Sequence, residues 1–505
     1  MTRSEKLPTM GSSLGGMLTL RLVSQVASLG TVVILTRALG PEEFGRYSFL
    51  FIYLSLFTLF NVNGLNDILV REIASRPVGR DSIYRAGLWL KLGAGLIAYV
   101  LACTVLGVFE ITTLPWALCC IGALTLFFSF SMGSTRMIWD VLYQVDFRMT
   151  AASVFNLTAK LIFFGLLGLW VASHAKGLDS GLLGGAGSFL SGAAVAIILL
   201  IVSEFTATLL QVGGNWRYKY AMIPRPDWRL IRYLLKEVWP LAVAGGLVMI
   251  YTQINVVMIR YFLSERDVGL FAAPKKLVDA LLLIPTVFMS GFLPILSKAH
   301  KAERDQFHRL VKLCYRVMLA VALPIVAVVT LYSADLINLV SGKAYAGSVP
   351  VFAVMIWVSP LWFCGIVFTN TLIAANKQRF LIIVFGVQAL LGVALYSIVI
   401  PKFGIIGASW ATLVTYSIMY FLALIFSDIA FAGRLWFASL PLSLFAAFVA
   451  AVVSKALHLS LLLGIVAIPL VFCGILLATR WINHDDWILM RELIRARAGR
   501  TTYDN

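Results

Sequence analysis

Charge is scarce in this chain: 13% of its 505 residues are Asp, Glu, Lys or Arg, about half of the ~25% found in an average soluble domain. Acid is scarcer still, with 24 Asp and Glu against 41 Lys and Arg, and no carboxylate lies between Glu5 and Glu42. Metal-ligand spacing is missing as well. The five histidines (His174, His300, His308, His458 and His484) are scattered, and all six cysteines fall inside apolar runs. That pattern excludes a zinc site and a disulfide framework and leaves the cysteines as small packing residues. No nucleophile elbow, HExxH, Walker loop or dinucleotide fingerprint occurs, so the chain itself carries neither the common hydrolytic centres nor an ATP-driven pump.

What fills the space is hydrophobic sequence, 60% of the residues, with a mean hydropathy of +0.91. A chain this long and apolar has no water-soluble solution and reads as a polytopic membrane protein. "MTRSEKLPTMGSS" runs into a helix too long for a signal-peptide core, so an uncleaved start is expected. Breaks at Pro, Gly and charge clusters define fourteen candidate spans. They lie at roughly 12–36, 45–70, 86–109, 114–138, 150–173, 182–211, 234–259, 268–296, 310–332, 349–374, 380–400, 405–427, 435–454 and 460–480.

Basic residues test that count independently. With a cytoplasmic N-terminus, 27 of the 41 Lys and Arg fall in inner segments and 8 in outer ones, as the positive-inside rule requires. Both termini are therefore expected in the cytoplasm, and most of the +17 net charge faces anionic headgroups rather than nucleic acid. No outer loop is long enough to hold the catalytic groups of a multispan polymerase or glycosyltransferase, so no enzyme is expected.

The chain also repeats itself. "EFGRYSF" (Glu43–Phe49) matches "DVGLFAA" (Asp267–Ala273), with Gly45 over Gly269 and an Arg upstream of each, Arg37 and Arg260. "GLLGGAGSFLSGA" (Gly181–Ala193) matches "GIIGASWATLVTY" (Gly404–Tyr416), and a weaker pair joins "QVDFRMTAASVF" (Gln144–Phe155) to "NKQRFLIIVF" (Asn376–Phe385). An even number of spans separates the copies, so both halves share one orientation, the parallel-repeat transporter plan. The expected fold is an all-α polytopic membrane protein with about fourteen transmembrane helices, two pseudo-symmetric six-helix lobes and a C-terminal helix pair. Residues 1–211 form the N-lobe, 212–233 the cytoplasmic linker, 234–430 the C-lobe, and 431–505 the extra helices and basic tail.

"LTRALGPEEFGRYSFLF", with "IPKFGIIGASWATLVTYSIMY" after "LIAANKQRF", resembles the polysaccharide-transport branch of the multidrug/oligosaccharidyl-lipid/polysaccharide exporter superfamily. The resemblance covers about residues 12–430 and implies two six-helix lobes around a central cavity, working by alternating access. It implies a flippase that moves an undecaprenyl-pyrophosphate-linked oligosaccharide, a polysaccharide repeat unit, across the bacterial inner membrane. Implied partners are the lipid-linked substrate, membrane lipid and polysaccharide polymerase or export machinery for products such as exopolysaccharide or O-antigen, around a monomeric transport unit. No cofactor is implied beyond a coupling H+ or Na+. The alternative is a cation-coupled multidrug or metabolite antiporter of the same superfamily.

Six basic residues lie at depth: Arg21, Lys91, Lys160, Lys275, Lys276 and Arg316. Charges inside a membrane normally face protein or water and mark function. Lys91 and Arg316 lie near cytoplasmic ends and are expected to snorkel. Arg21, Lys160 and the Lys275/Lys276 pair are candidates for a cationic cavity that binds an anionic substrate. Only one of Lys275 and Lys276 can face Asp279 on the same helix. Asn63 and Asn66 in span two, and Gln253 and Asn255 in span seven, offer groups for sugar hydroxyls or for helix–helix bonds. Asn376 is expected in a turn. Arg37 and Arg260 are candidates for an outer gate, and the scarcity of deep carboxylates favours an anionic cargo over a cationic drug.

Overall fold

The first two apolar runs fold as one helical ribbon, α1 (Met10–Phe57), bent at Gly40, where φ is 70° and ψ 176° in the computed structural model. An L side chain is strained there, whereas Gly is not, and Pro41 follows. The structure describes residues 10–75, 79–109, 112–129, 134–146, 148–175, 191–216, 226–302, 304–427, 429–479 and 481. Part of the second repeat pair (181–190), the middle of the linker (217–225) and the basic tail (482–505) lie outside the described residues.

The chain divides into two compact units, Met1–Ala273 and Pro274–Asn505. In the first, α1 is followed by a 3-10 turn (Thr58–Asn61), α2 (Leu65–Ser75), α3 (Arg80–Phe109), α4 (Trp116–Ala123), α5 (Thr125–Phe128), a second 3-10 turn (Thr135–Met137) and α6 (Ile138–Val145). Then come α7 (Met149–Ala175), α8 (Gly192–Trp216), α9 (Trp228–Phe262) and the start of α10 (Glu265–Leu281). The second unit continues with α11 (Leu283–Ala302), α12 (Arg304–Leu331), α13 (Ser333–Ser341), α14 (Ser348–Met355), α15 (Val358–Ala374), α16 (Arg379–Ser427), α17 (Ile429–Ala456) and α18 (Leu461–Ala478). Among the described residues all regular structure is helical, and ten helices are long and apolar enough to cross a membrane. The all-α, polytopic expectation holds.

Three spans read as continuous are interrupted. Span two stops at Asn61, passes through Val62 (φ 52°) and Gly64 (φ 88°), and restarts at Leu65. A β-branched residue in the left-handed region is a true outlier. Span four stops at Phe128, and the flanking Ser129 and Ser134 are extended. Span eight divides at Leu282 into α10 and α11. A span-length hydropathy window averages over such breaks, because the few polar residues and glycines in them are flanked by long apolar stretches. Asn376 has φ 56°, as its turn reading requires.

In the first unit α1 packs on α7 and α8, while α9 lies along α1, α2, α3 and the first 3-10 turn. Leu65, Leu69, Tyr84, Ile138, Val141 and Leu234 knit α2, α3, α6 and α9 into one core. In the second, α12 is the buried axis. Tyr315 Oη meets Tyr420 Oη at 3.2 Å, and Tyr332 Oη bonds Ser454 Oγ and Leu459 O, each at 2.9 Å. Gly464 lies against the Tyr332 ring, so the α17–α18 pair is fixed to α12. Leu390, Phe448, Leu462 and Leu470 stay exposed, as a lipid-facing surface demands.

Candidate functional site

The bent turn near Gly40 meets its own echo. A Cβ on Gly45 would lie 1.8 Å from Glu265 O, and one on Gly269 would lie 1.8 Å from Pro41 O. Each glycine faces the carbonyl four residues before the other, so the contact is reciprocal. That is the isologous geometry of a two-fold axis, running between the two repeats. Only hydrogen at both positions allows the backbones so close.

Around this crossing the charged residues of both repeats converge. Glu265, 6% exposed, accepts from Arg46 Nε at 2.6 Å, Thr113 N at 3.0 Å and Thr113 Oγ1 at 2.8 Å. Arg260 approaches it at 3.5 Å. Arg46 also binds Glu42 at 2.8 Å and Glu43, and the second oxygen of Glu43 accepts from Ala193 N, at the start of α8, at 3.0 Å. A carboxylate at a helix N-terminus is favoured by the dipole. Ser264 and Asp267 close a capping box on α10. Four other segments thus tie to the one turn in α1. Arg37 is exposed on the same turn; the structure centres the network on Arg46 and Glu265, a pairing 219 residues apart that linear spacing does not reveal.

A second polar centre is buried within the first unit. Arg136, 0% exposed, donates through Nε to Gln211 Oε1 at 2.8 Å and through Nη1 to Glu204 Oε2 at 2.8 Å. Gln211 in turn donates to Asp140 at 2.6 Å. Arg136 and Thr208 also reach Phe128 O, at 3.4 and 3.1 Å, and so satisfy the end of interrupted span four. By its place in the chain Arg136 counts among the inner, cytoplasmic-side charges, whereas the structure makes it a core residue. The only sequence signal is its i,i+4 spacing to Asp140 and the seven-residue spacing of Glu204 and Gln211 on one face of α8.

Lys91 and Arg316 do not snorkel. Lys91 is 2% exposed, with Nζ donating to Asn61 O at 2.7 Å. Arg316 is buried and lies over the Trp481 ring at 5.6 Å. The interruption of span two supplies Lys91 with a bare carbonyl, and Trp481 gives Arg316 a π-face, so neither needs the interface.

Of the cavity candidates, Arg21 is exposed on α1, and half-buried Lys160 on α7 reaches Ser24 O, one turn beyond Arg21, at 3.4 Å. The structure therefore brings Arg21 and Lys160 to adjacent helices. Lys275 binds Asp279 at 2.7 Å while Lys276 is exposed. Asn66 Nδ2 donates to Met137 O at 3.1 Å, and Asn255 Oδ1 accepts from Val256 N at 2.8 Å. Asn63 Nδ2 and Gln253 Oε1 are buried atoms without a hydrogen bond. On α2, Arg71 binds Glu237 at 2.8 Å and Glu72 at 3.0 Å. Hydrogen bonds to those carboxylates, Glu237 first, raise the guanidinium pKa above its ordinary value, and as an exposed link the pair is screened by salt. Among the described residues no cluster of His, Cys, Asp and Glu could hold a metal ion.

A family model described as polysaccharide biosynthesis protein matches residues 13–300. No curated protein matches the sequence. Solved structures do. The lipid II flippase MurJ, in an inward closed conformation, superposes with a TM-score of 0.69 at 12% identity, covering 95% of this chain and 99% of that one. An inward-facing multidrug resistance MATE family transporter of the MOP superfamily gives 0.65 at 12% identity, covering 82% and 96%. A MOP superfamily transporter from Pyrococcus furiosus, described by the reverse polarity of its binding pocket, gives 0.51 at 13% identity, covering 83% and 94%. At these identities the likeness shows the fold alone: a multi-pass membrane protein with the MOP flippase and transporter architecture.

Proposed function

This chain belongs to the polysaccharide biosynthesis protein family, and we propose that it flips an undecaprenyl-pyrophosphate-linked oligosaccharide across the bacterial inner membrane by alternating access. The supporting observation is the pairing of Arg21 and Lys160 on adjacent helices, in a span with no carboxylate between Glu5 and Glu42. Basic groups at depth, on a first span that itself carries no acid, suit a pyrophosphate, whose attraction to them strengthens at low dielectric. In the second unit, taken by itself, Lys276 is exposed beside the Lys275–Asp279 pair and is a separate candidate cation. Asn63 and Gln253 carry the polar atoms that sugar hydroxyls would satisfy. The Arg46–Glu265 network is the outer closure, with both termini in the cytoplasm and a coupling H+ or Na+ acting elsewhere.

The test is translocation of a fluorescent lipid-pyrophosphate oligosaccharide into proteoliposomes, together with complementation of a flippase-deficient strain. An Arg21→Ala, Lys160→Ala double variant is expected to insert normally and to lose translocation. Full activity of that variant overturns the reading. Cation-driven extrusion of a cationic drug by the wild type, with no movement of the lipid-linked sugar, establishes the antiporter alternative, which the MATE-like fold equally accommodates.

A further inference from the structure

Lys91 is a cation buried in a place where cations are not normally found without an acid. It lies eleven residues into α3 and is 2% exposed. Among the described residues no carboxylate pairs with it, and its recorded contact is the bond to Asn61 O. Asn61 ends the upper half of span two, so its carbonyl sits at the negative end of a half-helix. The Asn61 side chain donates from Nδ2 to Thr135 Oγ1 at 3.2 Å and to Leu126 O at 3.5 Å, which is the end of the span-four half-helix. Its Oδ1 is fully buried and accepts nothing.

The oxygens gather on one face of α3. A Cβ on Gly95, one turn above Lys91, would lie 2.4 Å from Thr135 Oγ1 and 3.6 Å from Asn61 Oδ1. The Lys91 ammonium thus bonds Asn61 O, and Asn61 Oδ1 and Thr135 Oγ1 lie beside it along the same face of α3. Half-helix C-termini and unwound carbonyls at a helix break are where broken-helix transporters coordinate a monovalent cation. Here the break is clamped from the other side as well. A Cβ on Gly246 would lie 1.9 Å from Leu59 Cδ1, and one on Gly64 would lie 2.7 Å from Leu241 Cβ, so the bent form of span two is held between α3 and α9.

We propose that the Lys91 ammonium is a tethered cation that stands at Asn61 O in place of a monovalent metal ion, which Asn61 O would hold together with the unsatisfied Asn61 Oδ1 and Thr135 Oγ1 beside it. The chain itself supplies the charge that fixes the break in span two, and no dissolved ion is needed there. Removing the side chain vacates a site that Na+ or K+ can fill.

The experiment compares thermal midpoints of purified full-length protein in choline chloride and in LiCl, NaCl or KCl at equal ionic strength. Lys91→Ala should have a lower midpoint than wild type in choline and recover most of that loss, saturably, in one of the alkali-metal salts. Lys91→Arg, which keeps the tethered charge, should stay near wild type in choline. Lys91→Met, which keeps the bulk without the charge, should fall and gain nothing from salt. The proposal is overturned if Lys91→Ala responds to the cations no more than wild type does, or if Lys91→Met is as stable as Lys91→Arg in choline. The Arg–Met comparison decides the matter even if Lys91→Ala cannot be purified.

Discussion

A methyl group on Gly45 tests the two-fold crossing directly. The new Cβ would lie 1.8 Å from the Glu265 carbonyl oxygen, and ordinary contact begins near 3.4 Å, so the helices must part by about 1.6 Å. A side chain could rotate away, but a helical carbonyl cannot. Overpacking costs typically ~1–3 kcal/mol, and a rigid backbone neighbour puts this case at the upper end. Better helix propensity of Ala offsets ~1 kcal/mol of that, leaving a net loss of ~2 kcal/mol. Gly93, in the middle of α3, has nothing within 4 Å of its ideal Cβ, so Gly93→Ala should show the propensity gain alone. Gly269→Ala should match Gly45→Ala, because its Cβ meets Pro41 O at the same 1.8 Å. The double variant should then lose much less than the sum, since one separation of the helices relieves both clashes. Thermal midpoints in detergent or nanodiscs are the assay, and shifts of a few degrees are resolvable. A Gly45→Ala midpoint equal to that of Gly93→Ala, or a strictly additive double variant, refutes the reciprocal contact.

The charged side chains lead to further expectations. Glu265→Gln keeps the shape of the hub but removes the charge that Arg46 and Arg260 face, and should lower the midpoint and slow transport. Glu265→Asp is the milder control, and an unchanged Glu265→Gln protein would rule out a closing role. Arg136→Ala leaves Glu204 and the Gln211–Asp140 pair uncompensated inside the unit, and breaking a buried pair this way costs ~3–5 kcal/mol. Poor insertion is expected, and a well-folded Arg136→Ala protein contradicts the network. Lys276→Met should lose transport with an unchanged midpoint, whereas Lys275→Met should lose stability by orphaning Asp279, a loss that Lys275→Met with Asp279→Leu recovers. Equal phenotypes for the two lysines would show that the ion pair does not separate their roles.

How far the sequence could lead depended on whether a feature is local. Gly40-Pro41, Gly404 (φ 62° inside α16) and the alternation of basic loops act within a few residues, so the polytopic class, these bends and the family resemblance were legible from them. The pairing of Gly45 with Gly269 was visible as a repeat, although only the fold shows the two glycines touching. The charge network escaped because its partners are far apart in the chain: Arg46 is 219 residues from Glu265, and Arg136 is 68 from Glu204. The helix breaks escaped for a different reason. "FNVNGLND" and "FFSFSMGS" each carry polar residues and a Gly, but hydropathy averaged over a span-length window absorbs them, and an interrupted helix in a membrane survives only where other groups satisfy its bare carbonyls. Those groups are Lys91 and Asn61 at one break, Arg136 and Thr208 at the other. Lys91 and Arg136, counted by position alone as an interfacial and an inner-side charge, are therefore the residues that make the breaks possible. A deep basic residue in such a chain has two physical explanations, an anionic cargo or a bare helix end. Of the cations in the first unit, Lys91 and Arg136 answer to the second, and Lys160, whose ammonium meets the carbonyl of unbroken α1 at 3.4 Å, is not required by any break. Exposed Arg21 caps no helix end either, which is why that pair, not the better buried cations, carries the transport proposal.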